Sequence, residues 1–220
     1  MANGTPGNRG IIYECPQNWS SELLGPGRWA RVGVIGEGSC FFHCICYCTN
    51  RDNYVTKNEQ EQMDIAQTFR CVTFKEKFTE DVYNEFKKSV PNYGKTYTEL
   101  RDDFCKPNVW ADEVMIKFAA KTLGYNLLFL DLSSEDMYCN VHSKETLDAI
   151  VSDEPINMPT LLVSWVSRSH FEPIVKIVNC QEVRIRTMFN PAMSKEDYET
   201  VKYIMKRMNT ECRLAKKKSS

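Results

Sequence analysis

Histidine is scarce in this chain, at three of 220 residues. Any chemistry that needs an imidazole must use His43, His142 or His170. A charge excess is lacking as well. Lys and Arg total 28 against 29 Asp and Glu, so no global field draws the chain to nucleic acid or an anionic membrane. The one basic excess is local, at Arg213 and Lys216 to Lys218, and reads as a solvated end. No apolar run approaches the roughly 20 residues of a membrane helix. Residues 1–10 are polar and Gly-rich, without the apolar core of a secretory signal. No internal repeat is found.

Cysteine, by contrast, is plentiful, with ten residues. An even count permits a disulfide framework. However, Cys40, Cys44, Cys46 and Cys48 crowd into one short stretch, where pairing with one another would be strained. The expectation is therefore free thiols in a reducing, cytoplasmic compartment. Cys15, Cys71, Cys105, Cys139, Cys180 and Cys212 stand isolated and are expected to be structural. Cys40, Cys44 and Cys48 share a helical face, so a metal cluster is conceivable. Structural zinc sites usually add a second close pair, which this sequence lacks, and core packing is the preferred reading.

The length suits one domain with tails, large enough to bury a core without staples. We expect a flexible arm at 1–12, a domain at 13–178, a strand and helix extension at 179–214 and a basic flexible tail at 215–220. Arg31 to Ile35 (RVGVI) reads as a short strand or extended segment, closed by the turn Gly36-Glu37-Gly38-Ser39. After it, Phe41, Cys44, Ile45 and Cys48 fall at helical spacing. Further amphipathic helices carry Ile65 to Val72, Val82 to Val90 and Ala111 to Leu123, the last with Gly124 as its cap. Asn126 to Leu132, Thr160 to Val166 and Phe171 to Val178 read as buried strands, and 183–187 as an edge strand. Tyr198 to Met208 reads as a final helix. This order predicts an α+β fold, a small mixed or antiparallel sheet flanked by helices, rather than a doubly wound one.

Cys40 follows a Gly-rich turn and opens a helix. Unpaired amides at a helix start favour a thiolate there, which predicts a lowered pKa. Gly38 and Ser39 would let backbone N–H groups face an oxyanion. The plain alternative is a small buried core residue. Of the histidines, His43 lies on the same helix, one turn on, and points away from the space in front of the helix start. His142 sits in a polar stretch and reads as a surface residue. His170 lies between two strong strands, a rigid place for a base that leaves the ring accessible. Glu172 leaves that turn on the same side of the strand, able to accept from the imidazole.

Gly36-Glu37-Gly38-Ser39-Cys40-Phe41-Phe42-His43 resembles the signature of the ovarian-tumour (OTU) cysteine proteases, Asp-Gly-x-Cys followed by two large apolar residues and a basic residue or His. Trp110-Ala111, Glu113 and the following helix, Gly124 and strand are similar to that family's middle segment. Ser169-His170-Phe171-Glu172-Pro173-Ile174 resembles its closing motif, a His followed at the second position by Asp, Asn or Glu. The resemblance covers about Arg31 to Val178, and Glu37 and Glu172 depart from the usual Asp and Asp or Asn. It implies a papain-type fold, with Cys40 as nucleophile, His170 as general base and Glu172 as the residue orienting it. It places Glu37, Gly38 and Ser39 in the oxyanion loop, and Trp110 and Phe171 toward the substrate. It further implies hydrolysis of (iso)peptide bonds after the C-terminal glycine of ubiquitin, with ubiquitin and polyubiquitin chains as partners and a monomeric enzyme. No cofactor, metal, membrane or nucleic acid is implied. Large DNA viruses and nairoviruses carry such domains, so a viral source and the host cytoplasm fit. The alternatives are an inactive ubiquitin-binding adaptor and a protease for another ubiquitin-like modifier.

Overall fold

The structure, a computed structural model, describes residues 5–15, 23–131, 139–141, 158–167, 169–179 and 184–218. A mixed sheet runs through it in the order β1-β2-β6-β5-β3-β4, with β7 also paired to β6. The strands are β1 (Ile12–Glu14), β2 (Arg28–Val32), β3 (Asn126–Asp131), β4 (Cys139–Val141), β5 (Thr160–Val166), β6 (His170–Asn179) and β7 (Arg184–Arg186). Among the described strands, only β3 and β5 run parallel, with every other pair antiparallel. The fold is thus α+β, as the element order predicts.

The unbroken apolar runs of β3 and β5 follow from a sheet covered on both faces. Leu127, Phe129, Leu161, Val163 and Val175 turn to one core. Leu128, Leu130, Leu162 and Ile174, their immediate neighbours in sequence, turn to the other, as the two-residue period of a strand requires. The first core is filled by helix α1 (Cys40–Thr49), of which Cys40 to Cys48 are all buried. Such a helix, apolar all round, belongs inside a molecule. Cys44, Cys46 and Cys48 are packing residues of this core.

Beyond α1 lie α2 (Arg51–Tyr54), α3 (Glu59–Thr68), a π-helical stretch (Phe69–Phe74), α4 (Lys75–Lys77), α5 (Glu80–Ser89), α6 (Tyr97–Asp103) and α7 (Glu113–Leu123). Helix α3 starts earlier than the apolar spacing indicates, because Asn58 and Glu61 form a reciprocal capping box. Helix α6 has no counterpart in the sequence reading, yet Thr96 and Glu99 cap it in the same way. Gly124 closes α7 in the left-handed conformation, at φ 65°.

The second core is covered by α8 (Lys195–Lys218), through Val201, Ile204 and Met205. Strand β7 pairs with β6 of the main sheet, and Phe189 bridges back to Thr160. Helix α8 continues to Lys218 instead of ending near 208. From Thr5 onward the N-terminal arm is hydrogen-bonded to the rest of the chain. Gly10 donates to the Gly33 carbonyl at 2.8 Å, Gly33 to that of Ile11 at 3.0 Å, and Arg9 to Gln62 at 2.9 Å. β2 lies three residues earlier than the RVGVI pattern predicts, because its pairing with β6 runs from Arg28 to Arg31.

One cysteine expectation is overturned. Cys71 and Cys105 form a disulfide across a sequence separation of 34. Their isolation in sequence concealed it, since the π-helical stretch and the segment after α6 meet only in three dimensions. Among the described residues no helix is long and apolar enough to cross a membrane.

Candidate active site

The turn before α1 uses backbone that only some residues tolerate. Glu37 has φ 54° and Gly38 φ 82°. At Gly38 a glycine is needed twice over. A Cβ there would lie 2.6 Å from the Asn108 carbonyl carbon and 2.7 Å from the Pro107 oxygen. The turn therefore lies flat against the segment 107–108. No side chain caps α1. Ser39, at its N-cap position, instead donates to the Pro107 carbonyl at 3.0 Å and accepts from Arg70 at 2.8 Å. The first amides of α1 thus have no capping side chain, and those of Cys40 and Phe41 turn to the Cys40 sulfur.

Arg70 is fully buried and holds this region together. Its guanidinium donates to the carbonyls of Phe104 (2.6 Å), Asp103 (3.0 Å), Val109 (3.0 Å) and Pro107 (3.3 Å), and lies 4.7 Å above the Phe42 ring. The next residue, Cys71, is disulfide-bonded to the same loop. Nothing in the sequence reading singled out Arg70.

Cys40 and His170 line one cleft. The Phe171 amide donates to Cys40 Sγ at 3.4 Å. The cleft is lined by Gly36, Glu37, Gly38, Cys40, Pro107, Asn108, Trp110, Ser169 and His170. Trp110 stands on its rim, 55% exposed, rather than packing in the core. Glu37 is also exposed at the cleft. Phe171 contributes its backbone there. Its ring packs against Phe41, Phe129 and Trp165 at 5.5–6.1 Å between centroids. His43 lies buried elsewhere, 2.5 Å from the Tyr54 hydroxyl. His142 lies outside the described residues.

His170 is the first residue of β6 and is buried, not an open loop residue. Its Nδ1 edge lies toward Gly36, 4.0 Å from where a Cβ would stand. Its Nε2 lies 3.6 Å from Glu172 Oε1. That is near enough for attraction but too long for a hydrogen bond, and Nε2 has no hydrogen-bond partner. Glu172 is fully buried. Its Oε2 pairs with Arg31, and its Oε1 accepts from the Gly7 amide at 2.5 Å.

Burial sets the electrostatics. It pushes the Cys40 thiol above its ordinary value, against the opposing pull of the Phe171, Phe41 and Cys40 amides. The helix start acts in the expected direction but is outweighed. Burial, with Arg31 adding to it, holds His170 down to about 4. Glu172 is raised by burial, opposed by the Gly7 amide and Arg31. Both shifts favour the neutral forms of the thiol and the imidazole.

Fold and site together bring a thiol at a helix N-terminus and an imidazole and carboxylate on strand β6 to one region of the molecule. No family model matches the chain, and no curated protein matches it. Among solved structures it is similar to OTU domains. With the OTUD1 OTU domain it shares 15% identity at TM-score 0.47, over 66% of this chain and 85% of that one. With an OTU domain in complex with ubiquitin the values are 14% and 0.47, over 87% and 94%. With the Hazara virus OTU bound to ubiquitin they are 13% and 0.44, over 69% and 83%.

Proposed function

We propose that this chain is a thiol-dependent deubiquitinase. The reading rests on one observation above all. Cys40 and the His170–Phe171 backbone, far apart in sequence, are in contact across a cleft with an exposed aromatic on its rim. His170 takes the Cys40 proton as sulfur attacks the carbonyl of ubiquitin's C-terminal glycine. The first amides of α1 receive the oxyanion. The target amine leaves with the proton from His170, and water releases ubiquitin from the thioester. Glu172 orients the imidazole through Nε2, leaving Nδ1 for the sulfur. The motif resemblance, which names ubiquitin, supplies the substrate.

The test is a ubiquitin probe with an electrophilic C-terminus, used beside polyubiquitin chains. The wild-type chain is expected to be labelled at Cys40 and to cleave chains, and Cys40→Ala to do neither. Cleavage retained by Cys40→Ala would reject the site. Binding without labelling by the wild type would favour an adaptor, and labelling only by a related modifier would move the substrate to that modifier.

A further inference from the structure

Glu172 has no solvent exposure, and a buried carboxylate is unfavourable unless its oxygens are satisfied. Its partners come from two segments remote in sequence. Arg31, on β2, is its diagonal neighbour across the β2–β6 pair, where Arg31 stands opposite Ile174. Arg31 is itself buried. A guanidinium beside a carboxylate commonly grips both oxygens. Here that grip is divided. One terminal nitrogen, Nη1, takes Oε2, while Nη2 is drawn off to the Thr5 carbonyl at 3.0 Å. The other oxygen, Oε1, is taken by the Gly7 amide at 2.5 Å and faces His170 Nε2 at 3.6 Å.

The arm is seated for this task. The Tyr13 ring lies 4.7 Å beneath the Arg31 guanidinium, and its hydroxyl accepts from the Asn8 amide at 2.8 Å. The arm passes so close to β2 that a Cβ on Gly33 would fall 2.1 Å from the Asn8 oxygen. At Gly7 itself a Cβ would meet the Tyr13 ring at 2.4 Å and Glu172 Oε1 at 3.2 Å. The arm backbone thus lies directly against the carboxylate.

We propose that Arg31 and the N-terminal arm, through the Thr5 carbonyl and the Gly7 amide, are positioning elements of the catalytic centre that hold Glu172 with Oε1 turned to His170. The proposal rests on the deubiquitinase reading. It makes the arm part of the enzyme rather than a tail. Movement of the arm away from β2 would free the second guanidinium nitrogen to claim Oε1, leaving the imidazole without its orienting partner.

The experiment uses the full-length chain and ubiquitin bearing a C-terminal fluorogenic amide. Competent enzyme is titrated with the electrophilic ubiquitin probe, so unfolded protein does not count. Misplaced catalytic groups lower rates by up to about 100-fold. Arg31→Met should therefore lower kcat per titrated site by about 10- to 100-fold with KM changed less than about twofold, and Arg31→Lys should recover part of the loss. Gly7→Ala retains the Arg31 side chain while pressing the arm off Tyr13 and Glu172 and should lower kcat by about 3- to 10-fold, which carries the test should Arg31→Met not fold. On a Glu172→Gln background neither substitution should lower kcat further by more than about twofold, since both act through that carboxylate. Undiminished kcat per titrated site in Gly7→Ala, or full additive losses on the Glu172→Gln background, would overturn the proposal alone. A wild-type chain that neither labels nor turns over would overturn the deubiquitinase reading and this proposal together.

Discussion

The two halves of the cleft are built differently. On the nucleophile's side, Gly36 to Cys40 are contiguous, and one turn of backbone sets the thiol at the start of α1. On the carboxylate's side, Thr5, Gly7, Arg31 and Glu172 come from three separate stretches of chain and meet around one buried charge. The first side is local geometry reinforced from behind. The second is a polar network that exists only in the folded protein, where removing one member strands the others. The nucleophile's side should therefore fail by loosening, and the carboxylate's side by leaving a charge unpaired.

The sharpest probe of the nucleophile's side is Arg70→Met. It removes one donor from each of four loop carbonyls, although Pro107 keeps Ser39 and Asp103 keeps the Lys106 amide, and at about 1 kcal/mol for each lost bond the stability loss should be about 3–5 kcal/mol. Denaturant melts read the loss, and kcat per titrated site should fall as the 103–109 loop releases the turn at Gly38. A melt unchanged by the substitution would show that this side needs no brace. Opening the Cys71–Cys105 disulfide, by Cys71→Ser with Cys105→Ser, tests the second brace. A loop of this size contributes about 2–4 kcal/mol. Melts with and without reductant should differ for the wild type and coincide for the double variant.

A third, smaller effect belongs to the two buried imidazoles. Burial holds both His43 and His170 at about 4, against an ordinary 6.5. Between those values the unfolded chain binds protons that the folded chain does not. Stability is thus fully present above about pH 6.5 and is lost as pH falls toward 4. Each imidazole contributes on the order of 1–3 kcal/mol. Melting temperature should drop from pH 7 to pH 4.5, and His43→Ala should flatten that slope while keeping kcat per titrated site. An unchanged slope in His43→Ala would place the acid sensitivity on the carboxylate's side alone.

Much of the architecture was legible from period and punctuation. The strands at Asn126 and Thr160 were readable because residues buried on both sheet faces make continuous apolar runs. Gly124 marked the end of α7, since a left-handed residue there favours glycine. Helix α6 carried a legible signal too, the Thr96–Glu99 capping box, but its apolar spacing is too short to display a period. Cys40, His170 and Glu172 could be singled out as candidates because each is marked by its immediate neighbours. The direction of the Cys40 shift could not, because burial is a property of everything packed around the thiol.

The sequence by itself determined the candidate residues for chemistry, where the backbone must turn, and which side chains share a face, because those follow from spacing along a few consecutive residues. Only the tertiary structure decided that Arg31 and Gly7 divide the oxygens of Glu172, that Arg70 braces the turn at Gly38, and that Cys71 finds Cys105. The partner of a buried polar group is chosen by strand register and by the crossing of distant segments, and neither leaves a periodic mark in the chain.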